Sequence, residues 1–329
     1  MAITYLKGSL YAADPDSKLV LYILQSGFCN IKCRHCYMQF QKEAVKRRNL
    51  NVAKRDIQNL LSQGYRVHLR GTEIILNPEY LSLFPLAGQA YLQTNGALLH
   101  LNQSFFLKLK DAGLHTIILT YPIDPEGIVD MSERVIQDVI GTGSVEGFRI
   151  VVNIIITKSI MKLLEQDAAY FRGICDCPID LGAHELRFVR LIPFSQELRR
   201  ISPSLCETQT IIEESFQLEA DYKGKFDITR AGQMGGFDLR RDLKHRYLGV
   251  SVPPPNESHI MDCPAGAKLF VVDLDNLVYP CLYLRNASWA IGTFAEGRIV
   301  LKKGAHVPGA LHAIDCPAYI EQYNYKFPV

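Results

Sequence analysis

Cys29-Asn30-Ile31-Lys32-Cys33-Arg34-His35-Cys36 carries three thiols in a C-x-x-x-C-x-x-C spacing. The apolar run Leu19-Val20-Leu21-Tyr22-Ile23-Leu24 comes just before it, and Ser26-Gly27 joins the two. The length and branched content of the run favour a strand over a helix. A strand that delivers a compact tri-cysteine loop can hold a metal centre at the mouth of a larger fold. Three close thiolates bind three irons of a cubane and leave the fourth without a protein ligand. An open iron is a place for a cofactor or substrate. The competing reading is a zinc site in which His35 completes a Cys₃His set.

Around this loop the chain has 329 residues, 48% hydrophobic and 21% charged, which suits a globular protein with a substantial core. No apolar run reaches the roughly 18 residues that span a bilayer, and residues 1–8 lack the features of a signal peptide. A cytoplasmic location without a membrane partner is expected. The net charge of +2 argues for no nucleic-acid partner. The basic cluster Arg240–Arg246 reads as a solvated helix face. Nine cysteines in a reducing compartment do not make a disulfide framework. They fall into Cys29, Cys33 and Cys36; Cys175, Cys177 and Cys206; and Cys263, Cys281 and Cys316. That clustering reads as metal ligation plus a few free thiols.

Residues 1–18 read as a short leader hairpin or strand. Strands are expected at 19–24, 65–70, 91–94, 116–121, 148–157 and 186–192. Between them a helix is capped by Asn51 and ends at Gly64, another runs from Asn102 or Ser104 to Gly113, and others span 131–140, closed by Gly141, and 158–171. The alternation implies right-handed βαβ units and a parallel sheet. Six units are too few for an eight-stranded barrel, so an α/β partial barrel over 19–200 is the economical architecture. Residues 201–262 read as a linker and channel segment with a helix over 211–218, a glycine-rich loop at 231–236 and a stiff connector at 252–256. Strands over 268–273 and 277–284 form a hairpin with Asp275-Asn276 at its turn, within a small extension over 263–329.

The tri-cysteine loop after a first strand resembles the radical S-adenosylmethionine (SAM) superfamily. Leu69-Arg70-Gly71-Thr72-Glu73-Ile74-Ile75-Leu76-Asn77-Pro78 resembles its G-G-E-P segment, Leu92-Gln93-Thr94-Asn95-Gly96 its T-N-G turn, and Leu109-Lys110-Asp111-Ala112-Gly113-Leu114 a phrase before its fourth strand. These cover most of residues 19–192 in the expected order. The resemblance implies a partial (β/α)6 barrel, a [4Fe–4S] cluster on Cys29, Cys33 and Cys36, and SAM on the open iron. An external electron donor such as flavodoxin or ferredoxin would reduce the cluster. A 5′-deoxyadenosyl radical would then take hydrogen from an unactivated C–H bond.

By the same resemblance Glu73 receives the SAM ammonium, Gly71 lets the backbone approach, and His35 stacks near adenine. Asn95 belongs to the cofactor set, Thr120 and Asn153 to the ribose, and Arg187 or Arg190 to the carboxylate. Arg187 and Arg190 differ in parity, so at most one points inward. Thr72 replaces the usual second glycine, which costs energy if the backbone there needs positive φ. Ile74 stands where proline is usual.

Cys263-Pro264-Ala265-Gly266, Val278-Tyr279-Pro280-Cys281 and Cys316 resemble the twitch or SPASM extensions that hold an auxiliary [4Fe–4S] cluster; too few cysteines follow Cys281 for the full SPASM form. Such proteins are frequently peptide maturases, so the expected substrate is a ribosomally made peptide, epimerised or cross-linked. Alternatives are a small-molecule dehydrogenase or cofactor-synthesis enzyme, and a non-catalytic iron–sulfur or zinc protein. No single catalytic side chain is marked.

Overall fold

A computed structural model describes residues 18–38, 45–123, 125–193, 195–204, 207–222, 225–231, 246 and 265–304. The first strand, β1 (Leu19–Ser26), is buried along its whole length. Val20, Tyr22 and Leu24 join the large core beneath the helices, while Leu19, Leu21 and Ile23 face an inner cluster with Met38, Val271 and Tyr279. Fully burying each such side chain contributes about 1.5–3 kcal/mol. A strand buried on both faces is why its sequence is continuously apolar rather than alternating.

Along the chain follow β2 (Lys46–Arg47), α1 (Leu50–Ser62), β3 (Arg66–Gly71), α2 (Leu83–Ala87), β4 (Tyr91–Gln93), α3 (Ala97–Leu101), α4 (Ser104–Asp111) and β5 (Thr116–Thr120). Next come α5 (Glu133–Val145), β6 (Arg149–Ile156), α6 (Lys158–Gln166), α7 (Ala168–Asp180), β7 (Glu185–Arg190), α8 (Gln196–Ile201), α9 (Gln209–Asp221) and β8 (Asp227–Ala231). The described part closes with β9 (Leu269–Val272), β10 (Leu277–Tyr279), β11 (Gly292–Ala295) and β12 (Arg298–Leu301). The six expected strands are β1, β3, β4, β5, β6 and β7. They form a partial barrel, as expected.

Several local readings are corrected. The cap of α1 is Asn49, whose side chain accepts from Asn51 N and Val52 N, so Asn51 lies inside the helix. Gly141 does not end α5, which runs on through Gly143 to Val145. A Cβ on Gly143 would lie 2.8 Å from Ile150 Cδ1, so that glycine serves helix–sheet packing. The expected helix over 158–171 is two, broken at Asp167, whose side chain caps α7 by accepting from Tyr170 N. The expected strand over 277–284 ends at Tyr279.

The strand order adds what local sequence does not contain. β8 pairs parallel with β7, so part of the segment read as a linker completes the barrel sheet. At the other edge β9 pairs parallel with β1, and β10 to β12 continue from it as an antiparallel meander. Asn276 makes the β9–β10 turn at φ +60°, as its type allows. Gly292 lies where β12 crosses; a Cβ there would overlap the Val300 carbonyl oxygen. Gly292→Ala is expected to cost about 1–3 kcal/mol, because backbone atoms cannot step aside. Chemical denaturation checks this, and an unchanged midpoint would contradict the packing.

β3 and β4 share no ladder; the sheet divides there. The buried side chain of Gln89 spans the division, its Oε1 accepting from Leu69 N at 2.6 Å and its Nε2 donating to Tyr91 O at 2.9 Å. The residues 1–17, most of 232–264 and 305–329 hold other expectations, among them the leader hairpin, most of the glycine-rich loop, the connector and Cys263 and Cys316. These lie outside the described residues, as does Cys206.

Candidate cofactor site

A cleft open to solvent lies at the C-terminal ends of β1, β3, β4 and β5. The three thiols of the loop after β1 line it, together with His35, Gly71, Thr72, Glu73, Asn95 and Thr120. Burial pushes the Cys33 thiol up to about 12 and also raises Cys29, so metal binding would have to displace protons from both.

The loop is held from one side by residues 126–130. Lys32 N donates to Asp130 Oδ2 at 2.8 Å, and Arg34 N donates to Ile128 O at 3.0 Å. His35 Nδ1 lies 2.9 Å from the same carbonyl, so Nδ1 must carry a proton. Burial lowers the His35 pKa, which keeps the ring neutral with Nε2 unprotonated. Ile128 is itself anchored, fully buried, beside Ile155, Leu191 and Leu198. Sequence reading missed this clasp because the segment has neither periodicity nor a motif.

Glu73 enters from the end of β3. Its carboxylate accepts from Thr94 Oγ1 at 2.7 Å and Asn95 N at 2.8 Å. Burial nevertheless pushes its pKa up to about 7 against those bonds. A buried carboxylate held above its ordinary range gains most from a cation brought beside it.

The departure at Thr72 costs the backbone nothing. Thr72 lacks positive φ, so its Cβ carries no backbone strain. Its hydroxyl donates to the Phe28 carbonyl, which staples the start of the cysteine loop to the end of β3. Gly71 is closely packed in the fold itself: a Cβ would lie 3.1 Å from Gln25 Cγ and 3.2 Å from Gln25 O. Gln25 uses that closeness, donating through Nε2 to Glu73 O at 2.7 Å.

Among the described residues, no three Cys, His, Asp or Glu side chains converge closely enough to hold a single metal ion. The three thiols instead line the wall of a wider space.

No protein-family model and no curated protein matches the chain. Solved structures do. SuiB of Streptococcus suis bound to S-adenosylmethionine aligns at TM-score 0.61 and 14% identity, over 82% of this chain and 62% of that one. SuiB bound to its precursor peptide SuiA aligns at 0.60 and 14%, over 81% and 60%. The chain thus spans about three fifths of the length of SuiB. The anSMEcpe structure with bound AdoMet and the Cp18Cys peptide aligns at 0.56 and 17%, over 84% and 77%. These are radical SAM enzymes. The chain has the radical SAM fold.

Within that fold the remaining expected residues separate. Thr120 lines the cleft at the end of β5, whereas Asn153 and Arg187 are not among its described lining residues. Asn153 is buried in β6, and its Oδ1 has no hydrogen-bond partner among the described residues. Arg187 sits on the inner face of β7, paired with Glu185 at 2.9 Å and next to Thr229. Arg190 has the parity of Leu186 and Phe188, which join the core under the helices. Arg70, which sequence reading passed over, is the one Lys or Arg among the described lining residues. Its inward parity on β3 was the available signal. Cys281 is buried in the inner cluster, against whose edge Cys36 packs.

Proposed function

We propose that the protein is a radical SAM enzyme that acts at an unactivated C–H bond of a ribosomally made peptide. The observation that carries this is the meeting of Cys29, Cys33, Cys36 and Glu73 in one cleft at the strand ends. A [4Fe–4S] cluster with SAM, when bound, supplies a one-electron cleavage that yields a 5′-deoxyadenosyl radical able to take hydrogen from carbon. The chain's own residues do the rest. Cys29, Cys33 and Cys36 hold the cluster, and residues 126–130 clamp their loop. Glu73 holds the ammonium in a geometry set by Thr94 and Asn95. His35 and Thr120 border the adenosine, and the unpaired Asn153 Oδ1 is an acceptor for a hydroxyl. Arg70, Gly71 and Thr72 complete the wall beside Glu73.

The peptide reading is supported by the two peptide-bearing structures of the same fold. Cys281 with Cys263 and Cys316 would hold an auxiliary [4Fe–4S] cluster, and an external flavodoxin- or ferredoxin-like protein would supply electrons. No described helix is long and apolar enough to cross a membrane. Anaerobic reconstitution followed by iron analysis and a SAM-cleavage assay tests the core of the proposal. Zinc uptake with no 5′-deoxyadenosine formed would defeat it. Mass spectrometry of a co-expressed neighbouring precursor peptide tests the substrate, and unchanged mass and stereochemistry would count against a peptide.

Glu73→Gln keeps the shape and removes the charge. It is expected to weaken SAM binding to the holoenzyme by about 10- to 100-fold, since a hydrogen bond to a charged group is worth roughly 1.5–3 kcal/mol. Equilibrium binding measures this, and undiminished affinity would remove Glu73 from the site.

A further inference from the structure

The turn after β4 does more than hold Glu73. Asn95 commits its backbone N–H and both ends of its side-chain amide. Its N–H donates to Glu73 Oε2 at 2.8 Å, and its Oδ1 accepts from Ala97 N at 2.9 Å in the first turn of α3. Its Nδ2 donates to Asn30 Oδ1 at 2.7 Å and to Cys29 Sγ at 3.6 Å. The bond from Ala97 fixes which end of the amide is oxygen, so the N–H end is the one directed at the cysteine loop.

We propose that Asn95 is a positioning residue that sets the reduction potential of the cluster, through an N–H···S hydrogen bond to Cys29. The inference rests on the cluster reading above. An electron taken from an external one-electron donor adds negative charge to the cluster and its sulfurs. A donor aimed at one of those sulfurs stabilises the reduced form more than the oxidised form and raises the potential. Cys29 is the thiol where donors gather, since backbone N–H groups of Ile31 and Glu73 also reach it. Asn95 alone among these donors acts through a side chain, so it alone can be removed without altering the backbone. It also ties Cys29 to the carboxylate proposed to hold the ammonium, which places the two halves of the site in fixed relation.

A purely structural role, capping α3, predicts a change in stability and none in potential. The test is an EPR-monitored redox titration of the reconstituted full chain without SAM, comparing wild type with Asn95→Ala. The midpoint of the variant is expected to move to more negative potential by roughly a tenfold change in the reduction equilibrium, about 59 mV for a one-electron couple. In protein labelled with ¹⁵N at asparagine side chains, the reduced cluster is expected to show a hyperfine coupling that Asn30→Ala retains. This second measurement needs no Asn95 variant to fold or load. A loaded Asn95→Ala with an unmoved midpoint, or no such coupling in the reduced protein, overturns this inference and leaves the cluster reading standing. A wild-type chain that takes up no cluster overturns both.

Discussion

Cys33→Ala is expected to abolish cluster loading in the cleft while leaving the fold intact. The side chain lines the cleft, half-buried, and in the proposed site would contribute a ligand rather than core volume. Changes in the second sphere of a metal site already cost about 10- to 100-fold in affinity, and loss of a ligand exceeds that. SAM cleavage should fall by about 10³ or more in consequence. Iron and sulfide analysis after anaerobic reconstitution measures the first effect, and circular dichroism confirms the fold. Cys177→Ala is the matched control. That thiol lies 3.3 Å from the Tyr121 hydroxyl and 3.4 Å from Gln137 Nε2, and it is not among the cleft's described lining residues. Its iron content should equal that of wild type. Full iron at this site in Cys33→Ala would sink the proposed cluster.

Arg48→Ala is expected to be the most destabilising single change among the contacts described. The Arg48 guanidinium is buried and joins three parts of the chain. It donates to Ile23 O in β1 at 3.0 Å, to Asn276 Oδ1 at 3.0 Å and to the Asp273 carbonyl. It also stacks on the Tyr22 ring at 4.5 Å and lies 3.9 Å from Asp56 of α1. Asp56 is itself buried, receiving the Tyr22 hydroxyl at 2.6 Å. Removing the guanidinium leaves that carboxylate without its buried cation, and breaking such a pair costs about 3–5 kcal/mol. Asp56→Asn should recover part of the loss in the double variant, because a neutral amide is cheaper to bury than a charge. Urea denaturation of the two single variants and the double variant measures the coupling. Simple additivity would show that Arg48 acts through its packing and its bonds to Ile23, Asn276 and Asp273 rather than through Asp56.

The same clasp shows where sequence reading stops. Arg48 and Asp273 are 225 positions apart, and no local pattern predicts that they meet. Conversely, β1, β5 and β6 were readable because burial on both faces demands nearly continuous apolar runs. The three thiols that line the cleft were readable too, because they stand within one short loop. Helix ends were less legible. Asn49 and Asn51 are equally good caps by type, and only the hydrogen bonds to Asn51 N and Val52 N select the first. Gly141 looked like a stop because a glycine's local preference says nothing of Ile150, which needs the space beside Gly143.

The chain by itself determined the alternation of elements, the tri-cysteine loop and the polar turns at Gly71–Glu73 and Thr94–Gly96. Periodicity and cysteine spacing are properties of neighbouring residues. Tertiary structure alone decided that β8 and β9 extend the barrel at its two edges, that Gln89 bridges the division between β3 and β4, and that residues 126–130 clamp the cysteine loop. Each of these satisfies backbone groups through partners outside their own element. Their partners are chosen by what remains unsatisfied once the core has closed.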